Sequence, residues 1–306
     1  SAGPMADGTC ALTNTSPLRP ILWILGAAAL FGTTGTVLAN GPLGVDPVSA
    51  GVVRLLVGGA GLAVFSYRHF RKVLSQFWVA GLGAIGVGAY QLCFFYSTRH
   101  AGVAIATVIT IGSSPLFARV IGAVRHRPPP HRLWYLAAVI LSVGLAFLSS
   151  AQDTGSDVEF VGVLSALIAG LSYAVYTECA SVLIDQKLDS TAVMGVLFLG
   201  AGMLTSPFLL FRPVSWITTQ RGVVIIVYLG IVTLSLAYIA FGKGLKNLVP
   251  TTVVMLTLLE PVVATALAYF VLHEKVSGPA WFGMLLVLVG LPIIAISVQR
   301  PTTVKA

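Results

Sequence analysis

Charge is what this sequence holds least of. Aspartate, glutamate, lysine and arginine together make up 9% of the chain, against the roughly 25% usual in a soluble domain, which rules out a solvated globular surface. Acids are the scarcer sign, 10 against 18 bases. The net charge of +8 does not point to nucleic acid, because the bases sit in short breaks between apolar runs rather than on one amphipathic face. Cysteine is sparse as well. Cys10, Cys93 and Cys179 show no CxxC spacing and the last two lie in apolar runs, so neither a disulfide framework nor a metal site is indicated. Also missing are the GxSxG, HExxH and paired-Asp patterns of hydrolases and any Gly-rich loop that cradles phosphate. Ser113 or Ser114 with His100 is the one serine and histidine combination to weigh, and helical rise sets His100 roughly 20 Å above Ser114, out of hydrogen-bond reach. A membrane-embedded enzyme is the remote alternative, and no cofactor is called for.

What is abundant is apolar length. Hydrophobic residues are 57% of the chain and the mean hydropathy is +0.93. Ten runs of roughly 17 to 25 residues match the helix length needed to cross about 30 Å of hydrocarbon. They fall at Ile21–Leu38, Pro47–Tyr67, Phe77–Tyr96, Val103–Val124, Leu133–Ser150, Phe160–Ile184, Thr191–Phe211, Gly222–Phe241, Val249–Leu272 and Ala280–Val298. The chain therefore reads as an all-α polytopic membrane protein with ten transmembrane helices. Gly41-Pro42, Pro128-Pro129-Pro130, Arg212-Pro213 and Gly278-Pro279 punctuate four breaks. Breaks this short make consecutive helices antiparallel neighbours and leave no room for an extramembrane domain. Residues 1–17 are polar and read as a disordered segment, with 1–4 a cloning remnant ahead of Met5.

The second half repeats the plan of the first. Pro115 pairs with Pro261 and Gly144 with Gly290, both 146 apart (261 − 115, 290 − 144), while Arg99 and Lys246 are 147 apart, so one residue has slipped between copies. The repeats span 18–150 and 158–299. Five helices per copy is odd, so the second copy enters the membrane from the opposite side, giving the inverted repeat of many secondary transporters. Two such halves rocking about a central site provide alternating access.

Orientation follows from the bases. With the N-terminus inside, the inner segments hold Arg19, Arg68, Arg71, Lys72, Arg125, Arg127, Arg132, Lys187, Lys243, Lys246, Arg300 and Lys305, and the outer breaks hold only Arg99, Arg212, Arg221 and Lys275. Asp46, Asp153, Asp157 and Glu159 decorate the outside. Both termini are expected in the cytoplasm.

Certain residues carry a family likeness. Phe31-Gly32-Thr33-Thr34, Arg54-Leu55-Leu56, Ser97-Thr98-Arg99 and Ser114-Pro115 resemble the first half of an EamA-type transporter of the drug/metabolite transporter superfamily. Leu259-Glu260-Pro261, His273-Glu274-Lys275, Gly283 and Gly290 resemble its second half. The first copy departs from the pattern in having Arg125 to Pro130 where a Glu often ends helix 4, and Phe rather than Trp before Gly32. The nearest likeness within the family is to bacterial exporters of aromatic amino acids. It implies a cavity walled by helices 1 to 4 and 6 to 9, with 5 and 10 peripheral, in the bacterial inner membrane.

Arg54 reads as the one deep base, about seven residues into helix 2 and roughly 10 Å from its outer end. An unpaired central arginine costs about 2.5 to 3.5 kcal/mol, so it should face protein or water. It either attracts a substrate carboxylate or bonds backbone as an anchor. Glu260 either carries a coupling proton, a common duty of intramembrane acids, or bonds the backbone that Pro261 opens. Since Ser114 stands where Glu260 does, the break at Pro115 and Pro261 reads as the shared device. Glu178 is expected to pair with Arg54 or a loop base, and Lys243 and Lys246 to anchor the inner face.

Aromatic pairs share helix faces: Tyr90 with Phe94, Tyr173 with Tyr176, Tyr238 with Phe241. Turned inward they suit an aromatic ring; turned outward they are belts. Trp78, Trp134, Trp216 and Trp281 lie near helix ends and read as belt residues. Thr33 and Ser114 offer hydroxyls. The candidate binding set is thus Thr33, Arg54, Tyr90, Phe94, Ser114, Tyr173, Tyr176 and Tyr238, with Pro115, Glu260 and Pro261 for coupling or gating. The expected solute is an amino acid with a large apolar or aromatic side chain, exported without nucleic acid or cofactor, the bilayer as the other partner and protons as a candidate coupling ion. The alternative is another solute of the superfamily: small drugs, purines, sugars or nucleotide sugars. A cationic drug would call for an acid in helix 1, which has none, and a nucleotide sugar for several converging bases.

Overall fold

The computed structural model describes residues 18–42, 44–149 and 159–299. The expectations placed on 1–17, Asp153, Asp157, Arg300 and Lys305 lie outside them. Among the described residues ten helices are long and apolar enough to cross a membrane: α1 Leu18–Ala39, α2 Pro47–Leu74, α3 Phe77–His100, α4 Val103–Val124, α5 Arg132–Ser149, α6 Phe160–Asp185, α7 Ser190–Phe211, α8 Gln220–Leu245, α9 Pro250–Phe270 and α10 Gly278–Val298. Arg68, Arg71, Lys72, Arg125, Arg127, Arg132, Lys187, Lys243 and Lys246 gather where α2, α4, α6 and α8 end, and that side of the bundle is here called the basic end.

Several helices outrun the apolar runs that announce them, α2 and α3 among them. α2 continues seven residues beyond Tyr67 through Arg68, Arg71 and Lys72, after a kink at Ser66 where φ is −125° and Ser66 Oγ donates to Leu62 O at 2.7 Å. Hydropathy marks where lipid ends, whereas the helix ends where its hydrogen-bonding does. α3 likewise keeps Ser97 to His100, so only Ala101 and Gly102 connect it to α4. Gly102 takes φ +80°, a left-handed conformation for which glycine has no Cβ penalty.

The duplication is visible in local geometry. Asp46 caps α2 by accepting from Ser49 N at 2.8 Å, and Asp189 caps α7 by accepting from Ala192 N at 2.9 Å, 143 residues later (189 − 46). His126 after α4 and His273 after α9 both adopt left-handed φ, 55° and 56°, 147 apart (273 − 126). The α5–α10 contact exchanges with itself. A Cβ on Gly144 would meet Val287 Cγ2 at 3.0 Å and one on Gly290 would meet Leu141 Cδ2 at 2.7 Å, and both 290 − 144 and 287 − 141 equal 146. In the same way α1 presses on α9 at Gly32, where a Cβ would lie 2.8 Å from Glu260 O, and α6 presses on α4 at Gly170, where it would lie 2.7 Å from Thr110 O. Small residues let these backbones meet.

The halves are not identical in backbone. α9 breaks at Thr257 and Leu258, with Glu260 N donating to Thr257 O at 2.9 Å, because Pro261 has no N–H for the next bond. α4 runs unbroken through Pro115, with Ser113 and Ser114 hydroxyls donating to Thr110 O. The expectation of a break shared by both prolines is therefore corrected: only α9 opens. α8 carries a π-helical stretch, Tyr228–Leu236, opposite α2.

Two of the four expected belt tryptophans are inside. Trp78 is 79% exposed and Trp281 43%, but Trp134 is 1% exposed and Trp216 3%. Trp216 folds back from the α7–α8 connection to donate its Nε1–H to Ser49 Oγ at 3.0 Å, and Trp134 packs at the start of α5. Nearness to a helix end placed all four alike, but two of them are buried within the protein.

Candidate functional site

A cavity of about 60 Å³ lies where α1 to α4 and α6 to α9 converge. That volume holds a few waters. Its polar groups come from opposite halves: Arg54 of α2 and Gln91 of α3 in the first, Thr257 and Glu260 of α9 in the second. α5 and α10 contribute nothing to its wall and pack on each other.

The π-helical stretch of α8 determines how Arg54 is held. Its registers leave carbonyls without regular helical partners, and Arg54 Nη2 donates to Thr233 O at 3.0 Å across the helix interface. Ser235 Oγ bridges the same interface by donating to Gly58 O at 2.8 Å. Arg54 Nε is buried with no hydrogen-bond partner, so the guanidinium retains unused donor capacity beside the cavity. Glu260 sits at the break in α9, and its carboxylate accepts no hydrogen bond among the described residues. No ion pair joins it to Arg54. The site thus presents a cation and an acid to the same space without letting them neutralise each other by contact.

Aromatic rings make up much of the rest of the wall. Tyr173 and Tyr176 stack with centroids 5.2 Å apart, Tyr90 tilts against Tyr173 at 5.6 Å, and Phe31 and Phe198 flank Tyr238 at 5.0 and 3.9 Å. The hydroxyls of Tyr176 and Tyr238 are 3.3 Å apart, and that of Tyr173 is 2.9 Å from Thr257 Oγ1, which ties α6 to the broken turn of α9.

Of the candidates drawn from sequence, Arg54, Tyr90, Tyr173, Tyr176, Tyr238 and Glu260 line this cavity, and Pro261 follows Glu260 at the break. Three lie off it. Phe94 stacks on Tyr90 at 6.0 Å one turn away; Thr33 Oγ1 donates to Leu30 O and accepts from Tyr228 OH; Ser114 is fully buried against α6. Pro115 lies within α4 beside Ser114, also off the wall. Sequence reasoning missed Gln91, Phe198 and Thr257. Gln91 adjoins Tyr90 and was open to detection as a polar residue in an apolar run, whereas Phe198 has no aromatic mate at helical spacing. It also missed Arg119, a base well inside α4, so Arg54 is not the one deep base.

Ion pairs join the halves at both ends. At the basic end Glu178 pairs with Arg125 and with Arg127 at 3.0 Å, and Arg127 also reaches Asp185 at 3.5 Å. The alternative pairing of Glu178 with Arg54 is thereby overturned in favour of loop bases. At the other end Asp46 lies 3.5 Å from Arg212 and 3.9 Å from Arg99. Lys243 lies over the Trp23 ring at 4.5 Å.

Two five-helix repeats closing on a buried, charged cavity are the architecture of a membrane transporter. The chain belongs to the EamA-like transporter family, whose model matches residues 18–150 and 160–296. It is 34% identical over 287 residues to the uncharacterized transporter YwfM of Bacillus subtilis (strain 168), covering 93% of this chain and 96% of that one. It is 24% identical to protein PecM of Dickeya dadantii (strain 3937), covering 88% and 89%. A crystal structure 20% identical in sequence superposes with a TM-score of 0.79 over 92% of this chain and 98% of its own, which shows a common fold.

Proposed function

We propose that the protein exports amino acids with aromatic or large apolar side chains across a bacterial inner membrane, by alternating access about the central cavity. The observation that carries this reading is the placing of Arg54 and Glu260, unpaired with each other, on one aromatic-walled space. A free amino acid is a carboxylate, an ammonium and a side chain. Arg54 takes the first through charge-assisted hydrogen bonds, Glu260 the second, and the tyrosine and phenylalanine faces the third. At about 60 Å³ the cavity is closed around its centre, so a solute this size enters only as the halves part. The ion pairs at the two ends would then break in turn, opening one side at a time. Assigning the basic end to the cytoplasm, with both termini there, agrees with the excess of lysine and arginine at its helix ends and loops. Glu260 is also the group best placed to couple a proton to transport.

The test is accumulation of labelled tryptophan, phenylalanine and alanine in proteoliposomes, with and without a pH gradient. Saturable uptake of the aromatic pair over alanine supports the reading. Uptake equal to empty liposomes for all three refutes it.

A further inference from the structure

A second, larger cavity of about 520 Å³ opens at the basic end, between the inner part of α4, the α4–α5 loop, α6 and the α8–α9 junction. It shares no lining residue with the central cavity. Two features of its wall are unaccounted for. Arg119 projects from α4 within the membrane-spanning stretch, half-buried, and has neither an ion pair nor a hydrogen bond among the described residues. Its neighbour Arg127 is by contrast committed to Glu178, Asp185 and Ser181. Trp134 is 1% exposed, lines the same cavity, and its Nε1–H has no acceptor. A buried donor without a partner is rare, and here it belongs to a residue lining the space that Arg119 also lines. Glu178, on α6, lines the same cavity, and its Oε2 too is buried without a partner.

We propose that this cavity is a loading site for the zwitterionic solute on its way to the centre. Its carboxylate is held by Arg119 and the Trp134 indole N–H, and its ammonium is directed to Glu178 Oε2. This rests on the amino-acid reading above, but the oxyanion half of it can be tested without that reading. The arrangement restates the central one, a cation and a carboxylate oxygen with an aromatic face, with residues that have no part in the central wall. Glu178 is shared with the ion pairs to Arg125 and Arg127, so an ammonium arriving there competes with the contact that joins the halves.

The experiment uses the full chain, ¹⁵N-labelled at the tryptophan indoles, in phosphatidylcholine nanodiscs. The chain has five tryptophans, and Trp134→Phe assigns the resonance; if that variant does not fold, assignment of the other four leaves it by elimination. Acetate and phenylalanine are expected to move the Trp134 indole signal saturably. Arg119→Gln should raise the apparent Kd at least fivefold, Arg119→Lys should restore part of it, and Arg54→Gln should leave it unchanged. In proteoliposomes Arg119→Gln should raise KM from the basic face and not from the opposite face. A silent Trp134, or equal Kd in Arg119→Gln, overturns the site. Movement only with inorganic phosphate or on adding phosphatidylglycerol assigns it to a phosphate or lipid headgroup and overturns the loading role. If acetate binds through Arg119 while phenylalanine neither binds nor is transported, the solute reading falls and the oxyanion site stands. Transport of phenylalanine with Trp134 silent gives the reverse.

Discussion

Replacing Arg54 by glutamine separates recognition from scaffolding, because the two duties predict different patterns across solutes. In the closed state Arg54 Nη2 donates to Thr233 O at 3.0 Å while Nε has no partner. If the guanidinium also holds a carboxylate, its loss removes hydrogen bonds to a charged group, about 1.5–3 kcal/mol, or roughly 10- to 150-fold at 1.4 kcal/mol per decade. That loss falls only on solutes with a carboxylate. The Thr233 carbonyl would lose its partner as well, at a cost of about 1–3 kcal/mol, but that cost is paid by the fold and is the same for every solute. The assay is uptake of phenylalanine against phenylalaninamide in proteoliposomes of wild type, Arg54→Gln and Arg54→Lys. The expected result is a KM for phenylalanine raised at least tenfold, with little change for the amide. Arg54→Lys should fall between, keeping the charge and losing the fork. A variant in which both solutes lose equally, together with a lowered melting temperature, would refute recognition and leave Arg54 as an anchor of the π-helical stretch.

Other outcomes follow from the same geometry. Glu260→Gln should weaken amino acids about tenfold while sparing their N-acetyl forms, read as KM, and should abolish any response of uptake to a pH gradient; a full response in the variant rejects the proton role. Gly283→Leu, whose Cβ would lie 2.5 Å from Gly144 O, should cost about 1–3 kcal/mol by overpacking, seen as a lower melting temperature in detergent, whereas Gly81→Ala, which meets nothing within 4 Å, should not destabilise. Asp46→Ala removes the α2 cap, for about 1 kcal/mol, together with the contacts to Arg99 and Arg212, and should raise thiol labelling of a cysteine at position 91 from the non-basic side. Brominated lipid should quench Trp78 and Trp281 and leave Trp134 and Trp216 largely unquenched.

The spans were legible because bilayer thickness imposes a length on apolar runs, and the duplication because Pro115 and Pro261 keep their spacing whatever surrounds them. The tyrosines of the central wall were legible as pairs, since helical period puts Tyr173 and Tyr176 on one face. Pairing says nothing about how far along that face the cavity extends, and Phe94 lies a turn beyond it. Arg119 escaped because a single base inside α4 does not interrupt an apolar run. Trp134 and Trp216 were misjudged because their burial depends on tertiary packing, which no local pattern records. The break in α9 and the continuity of α4 were not legible, because each proline frees the carbonyl four residues before it and the sequence alone does not say which helix opens there.

The repeats also explain why the site is charged as it is. Arg54 lies eight residues past the cap Asp46 (54 − 46), and the residue eight past the matching cap Asp189 is Leu197 (197 − 189), fully buried and apolar. Glu260 precedes its proline as Ser114 precedes Pro115. Both charged groups of the cavity are therefore positions at which the copies differ, while the positions they share, Gly144 with Gly290, His126 with His273 and Asp46 with Asp189, shape backbone and packing. Shared positions give two halves that can trade conformations across the membrane at similar cost. Were the wall equally symmetric, it would offer the same groups twice and hold a small solute in two opposed orientations. With one cation and one acid contributed by opposite halves, the carboxylate and ammonium ends of an amino acid bound as proposed would be distinguished.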